Sequence, residues 1–426
     1  MFVAASTDTT QMLFRVRVTK MTDGERLPLV VDQRGLPVPR PNQWSLLIRR
    51  PQVQQNTLIE ELRTVAHIYD WATRRGVDLD ERLGSGNGLS PAELTALYQN
   101  LRYFRPFGRK SAARRLTDAA DLQVVNGKTR AVRVGYAREY LVWGLERALY
   151  QLDVSDLRVW EIRARCERIR RVAIDFQRPS SDGIAKRIEL DRGMRARLLD
   201  VINPAHPQNP FRRTVRFRNW VMVVLLMTFG FRRGESLKIY VTDVNVKGRN
   251  PSIAIHRRPG DVLDTRANEP AVKTLGRKIP LSPEMAQMLD GFIMHHRPRF
   301  PGADRSPFLF FSEDGNPLAL RSVNAVLERI VACFREFEGI LSPHVLRYTY
   351  NDMLTESATA AGVDAETLKQ TRNYLTRART CGIARSHRHS TSTGLLQSRF
   401  PIRRSSRRDY CGEYRADRTG IHGRNH

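Results

Sequence analysis

The stretch LSPHVLRYTY, residues 341–350, is the part of the sequence from which the fold and the function can be worked out. Ser342 followed by Pro343 is typical of a helix start, because serine accepts hydrogen bonds from free N–H groups and proline fits the first turn. The helix carries His344 and Arg347, three residues apart and therefore on one face. An imidazole and a guanidinium near a helix N-terminus suit a phosphate group, so the stretch predicts a phosphate-binding helix.

The histidine–arginine spacing alone is a weak signal in a chain rich in arginine. It recurs at His296 and Arg299, near the expected C-terminal end of another helix. There the two side chains complement the helix dipole, and we expect them to have a structural role.

The charge balance indicates a polyanionic partner. Lysine and arginine number 71 against 44 aspartates and glutamates, which gives a net charge of +27. A GC-rich genome would explain arginine in place of lysine, but not this excess of bases over acids. Nucleic acid is the expected partner, and an anionic membrane surface is the weaker alternative.

Other sequence features exclude several classes of protein. The cysteines have neither C-x-x-C spacing nor a zinc pattern, which is typical of ordinary thiols in a reducing compartment. The N-terminus lacks the basic and apolar regions of a signal peptide. The longest apolar run, Trp220–Met227, is far shorter than the ~20 residues of a membrane span. We therefore expect a cytoplasmic protein with no membrane partner.

The hydrophobic pattern predicts a mainly α-helical chain with a small β-sheet. Helical periodicity dominates residues 55–177, whereas residues 188–375 combine helices with short strand-like segments, as in an α+β domain. The predicted order is an N-terminal extension with a possible β-hairpin (1–54), a basic helical domain (55–177), a linker (178–187), the α+β domain (188–375) and a basic tail (376–426).

Two stretches are strongly basic. The first contains Arg109, Lys110, Arg114 and Arg115 between two predicted helices, and it is either a solvated loop or a contact to a phosphate backbone. The second is the tail, residues 376–426, where apolar residues become scarce and no helical or strand period persists. The tail is therefore expected to be disordered.

Two further motifs precede the phosphate-binding helix. In TFGFRRGE (228–235) an apolar helix ends at a glycine, and the following turn delivers Arg232 next to Glu235. In VKTLGRKIPL (272–281) Lys273 lies on a turn that leads into a short strand. Each is ambiguous alone, because a helix C-cap with a basic loop and a solvated hairpin lysine are common structural features.

Together, the three motifs resemble the catalytic domain of tyrosine recombinases, the phage-integrase family. That family has T-G-x-R-x-x-E, then a hairpin lysine before a basic strand ending in P-L, then H-x-x-R. Arg232 with Glu235, Lys273, and His344 with Arg347 match these positions, at separations of 41 residues (232 to 273) and 71 residues (273 to 344). The resemblance covers roughly residues 189–375, and the helical domain before it corresponds to the family's core-binding domain by position.

The resemblance implies site-specific DNA recombination or integration through a 3′-phosphotyrosine. The arginines would clamp the phosphate, Lys273 would protonate the leaving 5′ oxygen, and His344 would assist. Neither a metal nor another cofactor is implied. The implied partner is double-stranded DNA, with self-assembly on paired sites. A type IB-like topoisomerase and a catalytically impaired DNA-binding relic are the alternatives.

The nucleophile is where the sequence departs from the family. The histidine or tryptophan box and the tyrosine expected after residue 375 are missing, and the abrupt change of composition resembles an altered reading frame or a degraded C-terminus. Tyr374 precedes the expected position and is interpreted as a packing residue. Tyr410 is the candidate nucleophile, followed by Tyr414, but the composition favours a tail that places no tyrosine in the site.

Overall fold

The structure, a computed structural model, describes residues 12–103, 124–177 and 189–376, the last five of these without their side chains. The chain divides into two compact units, Met1–Lys186 and Arg187–His426. The predicted linker, residues 178–187, and the predicted tail, residues 376–426, lie outside the described residues, except that residue 376 is the last residue described.

The first unit begins with an antiparallel hairpin of β1 (Arg15–Lys20) and β2 (Arg26–Val31). Val30 of β2 packs in the same core as Val38 and Trp44, which flank and end helix α1 (Pro39–Trp44). The sequence predicts an N-terminal extension with a possible β-hairpin for residues 1–54; the hairpin forms, and the described part of these residues shares the core of the helical unit. The physical reason is the apolar face of β2 and the indole of Trp44, which need a core to cover them.

The remaining helices of the first unit form one hydrophobic core with this hairpin. They are α2 (Gln55–Arg74), α3 (Leu79–Gly84), α4 (Pro91–Asn100), α5 (Gly127–Leu149) and α6 (Leu157–Gln177). Helix α4 begins with a capping box, in which the Ser90 side chain accepts from the backbone N–H of Glu93 and the Glu93 side chain accepts from the backbone N–H of Ser90. Arg109, Lys110, Arg114 and Arg115 lie outside the described residues.

The second unit is arranged around α8, whose residues from Phe217 to Phe229 are all buried. Its helices are α7 (Arg192–Val201), α8 (Arg213–Phe229), α9 (Arg233–Leu237), α10 (Pro283–Gly291), α11 (Leu320–Cys333), α12 (Pro343–Ala360) and α13 (Ala365–Thr376). A helix that is apolar all round must be covered on every side, so α8 is the natural centre of this fold.

A small antiparallel sheet completes the second unit, with the strand order β3 (Val244–Asn245), β4 (Ser252–Ile255) and β5 (Arg277–Pro280). Between Pro307 and Phe311, where the sequence also suggests a strand, the described residues form only isolated bridges, Phe308 with Tyr240 and Phe311 with Pro317. The prediction of a mainly helical chain with a small sheet is confirmed.

Among the helices that the structure describes, none combines the length and the apolar character that crossing a membrane requires.

Candidate active site

The turn after α8 brings α12 against the first arginine motif. Gly230 ends α8 with φ +58°, and a Cβ on it would lie 2.4 Å from Cδ1 of Tyr350 in α12. Glycine is therefore required here by both the backbone conformation and the approach of the tyrosine ring. Arg347, also on α12, donates a hydrogen bond from Nη1 to the carbonyl oxygen of Gly230. Arg347 is thus bonded to the turn that leads into Arg232.

Arg232 lies at the start of α9, two residues after that turn, and its side chain is about one-third exposed (34%). Its backbone N–H and its Nη1 each donate to the carboxylate of Glu235 at 3.0 Å. These two bonds fix both the main chain and the guanidinium, so Arg232 is held in place before any ligand arrives.

Glu235 is completely buried and joins α9 to β5. Its carboxylate accepts from Nη2 of Arg277 at 2.9 Å and from Oγ1 of Thr274 at 3.0 Å. Burial alone would raise the pKa of Glu235, but the charge and hydrogen bond of Arg277, together with Arg232, lower that pKa to about 2. The Glu235 carboxylate therefore stays ionised and binds both Arg232 and Arg277.

The loop that carries Lys273 lies directly on α9. A Cβ on Gly234 would be 2.4 Å from the carbonyl oxygen of Ala271, so only glycine allows this approach. Val272 and Thr274 are buried on either side of Lys273, whereas Lys273 itself is exposed. The backbone around this lysine is anchored while its side chain is available to a ligand.

The first turn of α12 forms as the sequence predicts. The Ser342 side chain accepts from the backbone N–H of Val345 at 3.2 Å. His344 is exposed on that turn, and Arg347 follows one turn later, partly buried. Burial, and then the nearby charge of Arg232, lower the pKa of Arg347 to about 10. Two guanidinium groups that repel each other in this way favour an anion between or beside them.

Arg232 is thus bonded to Glu235, and Arg347 is bonded to Gly230, two residues before Arg232. Lys273 lies on the loop packed against α9, and His344 lies on the first turn of the helix that carries Arg347. Tyr374 lies on α13 without a described side chain, and Tyr410 lies outside the described residues.

Thr274 and Arg277 were not singled out by sequence reasoning. A usable signal existed for Arg277, because the period of two in β5 places it on the same buried face as Ile279. No comparable signal exists for Thr274, because its burial depends on the path of a loop.

A second charged cluster lies next to α9, where Asp261, Asp264 and Glu269 offer oxygens within 4.8 Å of one another. Such a group can hold a metal ion, but the ammonium of Lys238 already lies between the three. Its Nζ is 2.9 Å from Asp261, 3.1 Å from Asp264 and 2.5 Å from Glu269. The cluster is therefore a buried ion-pair network in which lysine supplies the cation.

No protein-family model matches the sequence, and no curated protein matches it. Several solved structures are similar. The Tn1549 transposon integrase, in complex with transposon right end DNA, is 15% identical and has a TM-score of 0.45, covering 84% of this chain and 93% of that one. The XerH site-specific recombinase bound to difH is 13% identical (TM-score 0.37; 85% and 95% covered).

The integrase from mycobacterium phage Brujita is 15% identical, with a TM-score of 0.32 and coverage of 87% of this chain and 96% of that one. All three are recombinases or integrases, which is the family that the motifs resemble. The similarities are too weak to assign a function, so the site is interpreted from its own residues.

Proposed function

We propose that this protein recombines or integrates DNA at specific sites by cleaving and rejoining strands through a 3′-phosphotyrosine. The observation that carries the proposal is the convergence of two distant motifs on one turn, where Arg347 bonds the carbonyl of Gly230 and Arg232 begins the next helix. A packing role alone does not require two arginines here, and their mutual repulsion disfavours it.

The two guanidinium groups would bind the non-bridging oxygens of a phosphodiester. Negative charge grows on these oxygens in the transition state, so donors fixed in advance stabilise it without reorganisation. Glu235 supports this role, because it fixes Arg232 through two hydrogen bonds and remains charged itself.

In the proposed reaction a tyrosine hydroxyl attacks phosphorus, forms a Tyr–O–P bond and breaks the bond to the 5′ oxygen. The phenol loses its proton, for which His344 is the proposed acceptor or hydrogen-bond partner. The 5′ oxygen gains a proton, for which Lys273 is the proposed donor. The bond energy is kept in the covalent intermediate, so rejoining needs no other energy source.

Double-stranded DNA is the proposed partner, with self-assembly on paired sites. The net charge of +27 supports a polyanionic ligand. In this proposal residues 55–177 form a second DNA-contacting domain, which would include Arg109, Lys110, Arg114 and Arg115, and residues 188–375 form the catalytic domain.

The test is incubation of the full chain with a nicked suicide substrate, followed by denaturing electrophoresis. A protein–DNA adduct that survives denaturation supports the covalent mechanism, and mass spectrometry of the digested adduct identifies the tyrosine. Tyr410→Phe should abolish the adduct if Tyr410 is the nucleophile.

Arg232→Ala and Arg347→Ala should each slow cleavage by about 10²-fold or more, since one lost donor costs about 3 kcal/mol. The matched control is Arg299→Ala, which removes an exposed arginine from the other H-x-x-R pair. DNA binding without any adduct would contradict the mechanism and leave a DNA-binding relic. Relaxation of supercoils without joining of two sites would indicate a topoisomerase instead.

A further inference from the structure

The connection between β4 and β5, residues 256–276, is 21 residues long and contains neither helix nor strand. Lys273 lies near its end. A free loop of this length would sample many positions, whereas a proton donor must be held within about 0.5 Å of its working geometry. Something in the fold must therefore restrict this loop.

The first part of the connection is held by the ion-pair network around Lys238. The Glu269 carboxylate accepts from the backbone N–H of Gly260 at 3.1 Å and of Asp261 at 3.2 Å, and it also contacts Lys238. Arg266 donates to the carbonyl oxygen of Leu318 at 2.7 Å. Lys238, directly after α9, and Arg266, within the loop, thus join the loop to the body of the unit.

The last part is held at two points that flank Lys273. On one side, the carbonyl of Ala271 lies against Gly234 of α9. On the other, Thr274 is only 3% exposed, and its Oγ1 donates to Glu235 at 3.0 Å while accepting from Nη1 of Arg277 at 2.9 Å. Lys273 thus lies in a short segment whose two ends, Ala271 and Thr274, are both held against the body of the unit.

We propose that Thr274 is a positioning residue that aims Lys273 at the leaving oxygen. This inference rests on the proposed function and extends it to a residue outside the three motifs. The Thr274 hydroxyl is the link between the lysine's loop and the carboxylate that holds Arg232, so it sets the donor relative to the phosphate clamp. It adds no chemical step of its own.

The test compares Thr274→Val, which keeps the shape and removes the hydroxyl, with Thr274→Ser, which restores the hydroxyl. Each is assayed on a normal substrate and on one whose 5′ leaving oxygen is replaced by sulfur. A thiol has an ordinary pKa near 8.5, far below that of an alcohol, so it leaves without a proton donor.

Thr274→Val should slow cleavage of the oxygen substrate by about 10-fold, a part of the 10²–10⁴-fold that a general acid contributes. The same variant should cleave the sulfur substrate at nearly the wild-type rate. Thr274→Ser should be nearly normal on both substrates, and Lys273→Met should show the same pattern as Thr274→Val but more strongly. Arg232→Ala should be slow on both substrates.

Equal slowing of Thr274→Val on both substrates would overturn the proposal, because the hydroxyl would then act through Glu235 and Arg232. A normal rate on the oxygen substrate would overturn it as well. If the wild-type protein cleaves neither substrate, the proposed function itself is wrong. In that case amide hydrogen exchange of residues 270–276 tests whether Thr274 restricts the loop. Faster exchange in Thr274→Val than in wild type would support the positioning role, and unchanged exchange would overturn it.

Discussion

At the scale of single residues, Glu235 is the group whose charge matters most to the site. Its pKa of about 2 lies below the ordinary 4.5, so its ion pairs stabilise the fold on the order of 3 kcal/mol. A lowered carboxyl pKa means that this stability is complete above pH ~4.5 and is lost as the pH falls towards 2.

Glu235→Gln should therefore cost on the order of 3 kcal/mol at neutral pH, because Arg277 keeps its buried charge without a counter-ion. The difference from wild type should shrink as the pH is lowered from 4.5. Urea unfolding as a function of pH measures this, and Glu336→Gln, in a half-exposed ion pair with Arg197, is the control. A pH-independent difference would contradict the ion-pair explanation.

Gly230 is the second residue on which the site depends, and the chain provides a matched control for it. Gly230 and Gly248 both have positive φ values, +58° and +81°, but only Gly230 faces a close neighbour, the Tyr350 ring. Gly248→Ala should cost about 1 kcal/mol from backbone strain alone. Gly230→Ala should cost about 1–3 kcal/mol more, because the ring must move.

Urea unfolding of the two glycine variants measures this difference. Gly230→Ala should also slow cleavage, since moving Tyr350 shifts the helix that carries Arg347. Equal destabilisation by the two variants would show that the contact with Tyr350 is not restrictive.

At the scale of elements, the sequence predicts helix starts well, because they depend on local chemistry. Ser90, Ser282 and Ser342 are each followed by proline, and each accepts a hydrogen bond as the cap of a helix. The short helices α1, α3 and α9 escape prediction, because too few residues carry a periodic signal and packing decides their conformation.

In the candidate site, too, features that depend on local sequence can be predicted, whereas features that depend on tertiary packing cannot. The order and spacing of the motifs predict Arg232, Lys273 and Arg347 as site residues, because these residue types have few other reasons to occur in that pattern. The Thr274 hydroxyl bond and the Lys238 network depend on how the β4–β5 connection folds back on α9. That path is a tertiary property and leaves no local trace in the sequence.

The Lys238 network makes a prediction at this scale. Lys238→Met should destabilise the second unit by about 3–5 kcal/mol, since three carboxylates would lose the cation between them. Adding Glu269→Gln should recover part of this loss by removing one of the uncompensated charges. Thermal unfolding of the single and double variants measures the coupling, and a double variant less stable than Lys238→Met would contradict the electrostatic explanation.

At the scale of the whole molecule, the net charge of +27 predicts how binding responds to salt. A protein that makes many phosphate contacts releases condensed counterions, so affinity should fall by about 10³-fold or more between roughly 50 and 200 mM salt. Titration of a labelled duplex at several salt concentrations gives the slope of log K against log salt.

The same titration tests whether the paired arginines meet a phosphate. Arg347→Ala should reduce the slope by about one and weaken binding to all sequences alike, because one phosphate contact is lost. Arg299→Ala, which removes one positive charge from an exposed position outside the site, controls for the general effect of net charge. If both variants change the slope equally, Arg347 contributes only to the overall field. If the wild-type slope is itself shallow, the positive charge does not serve a nucleic-acid surface, because each phosphate contact would release condensed counterions.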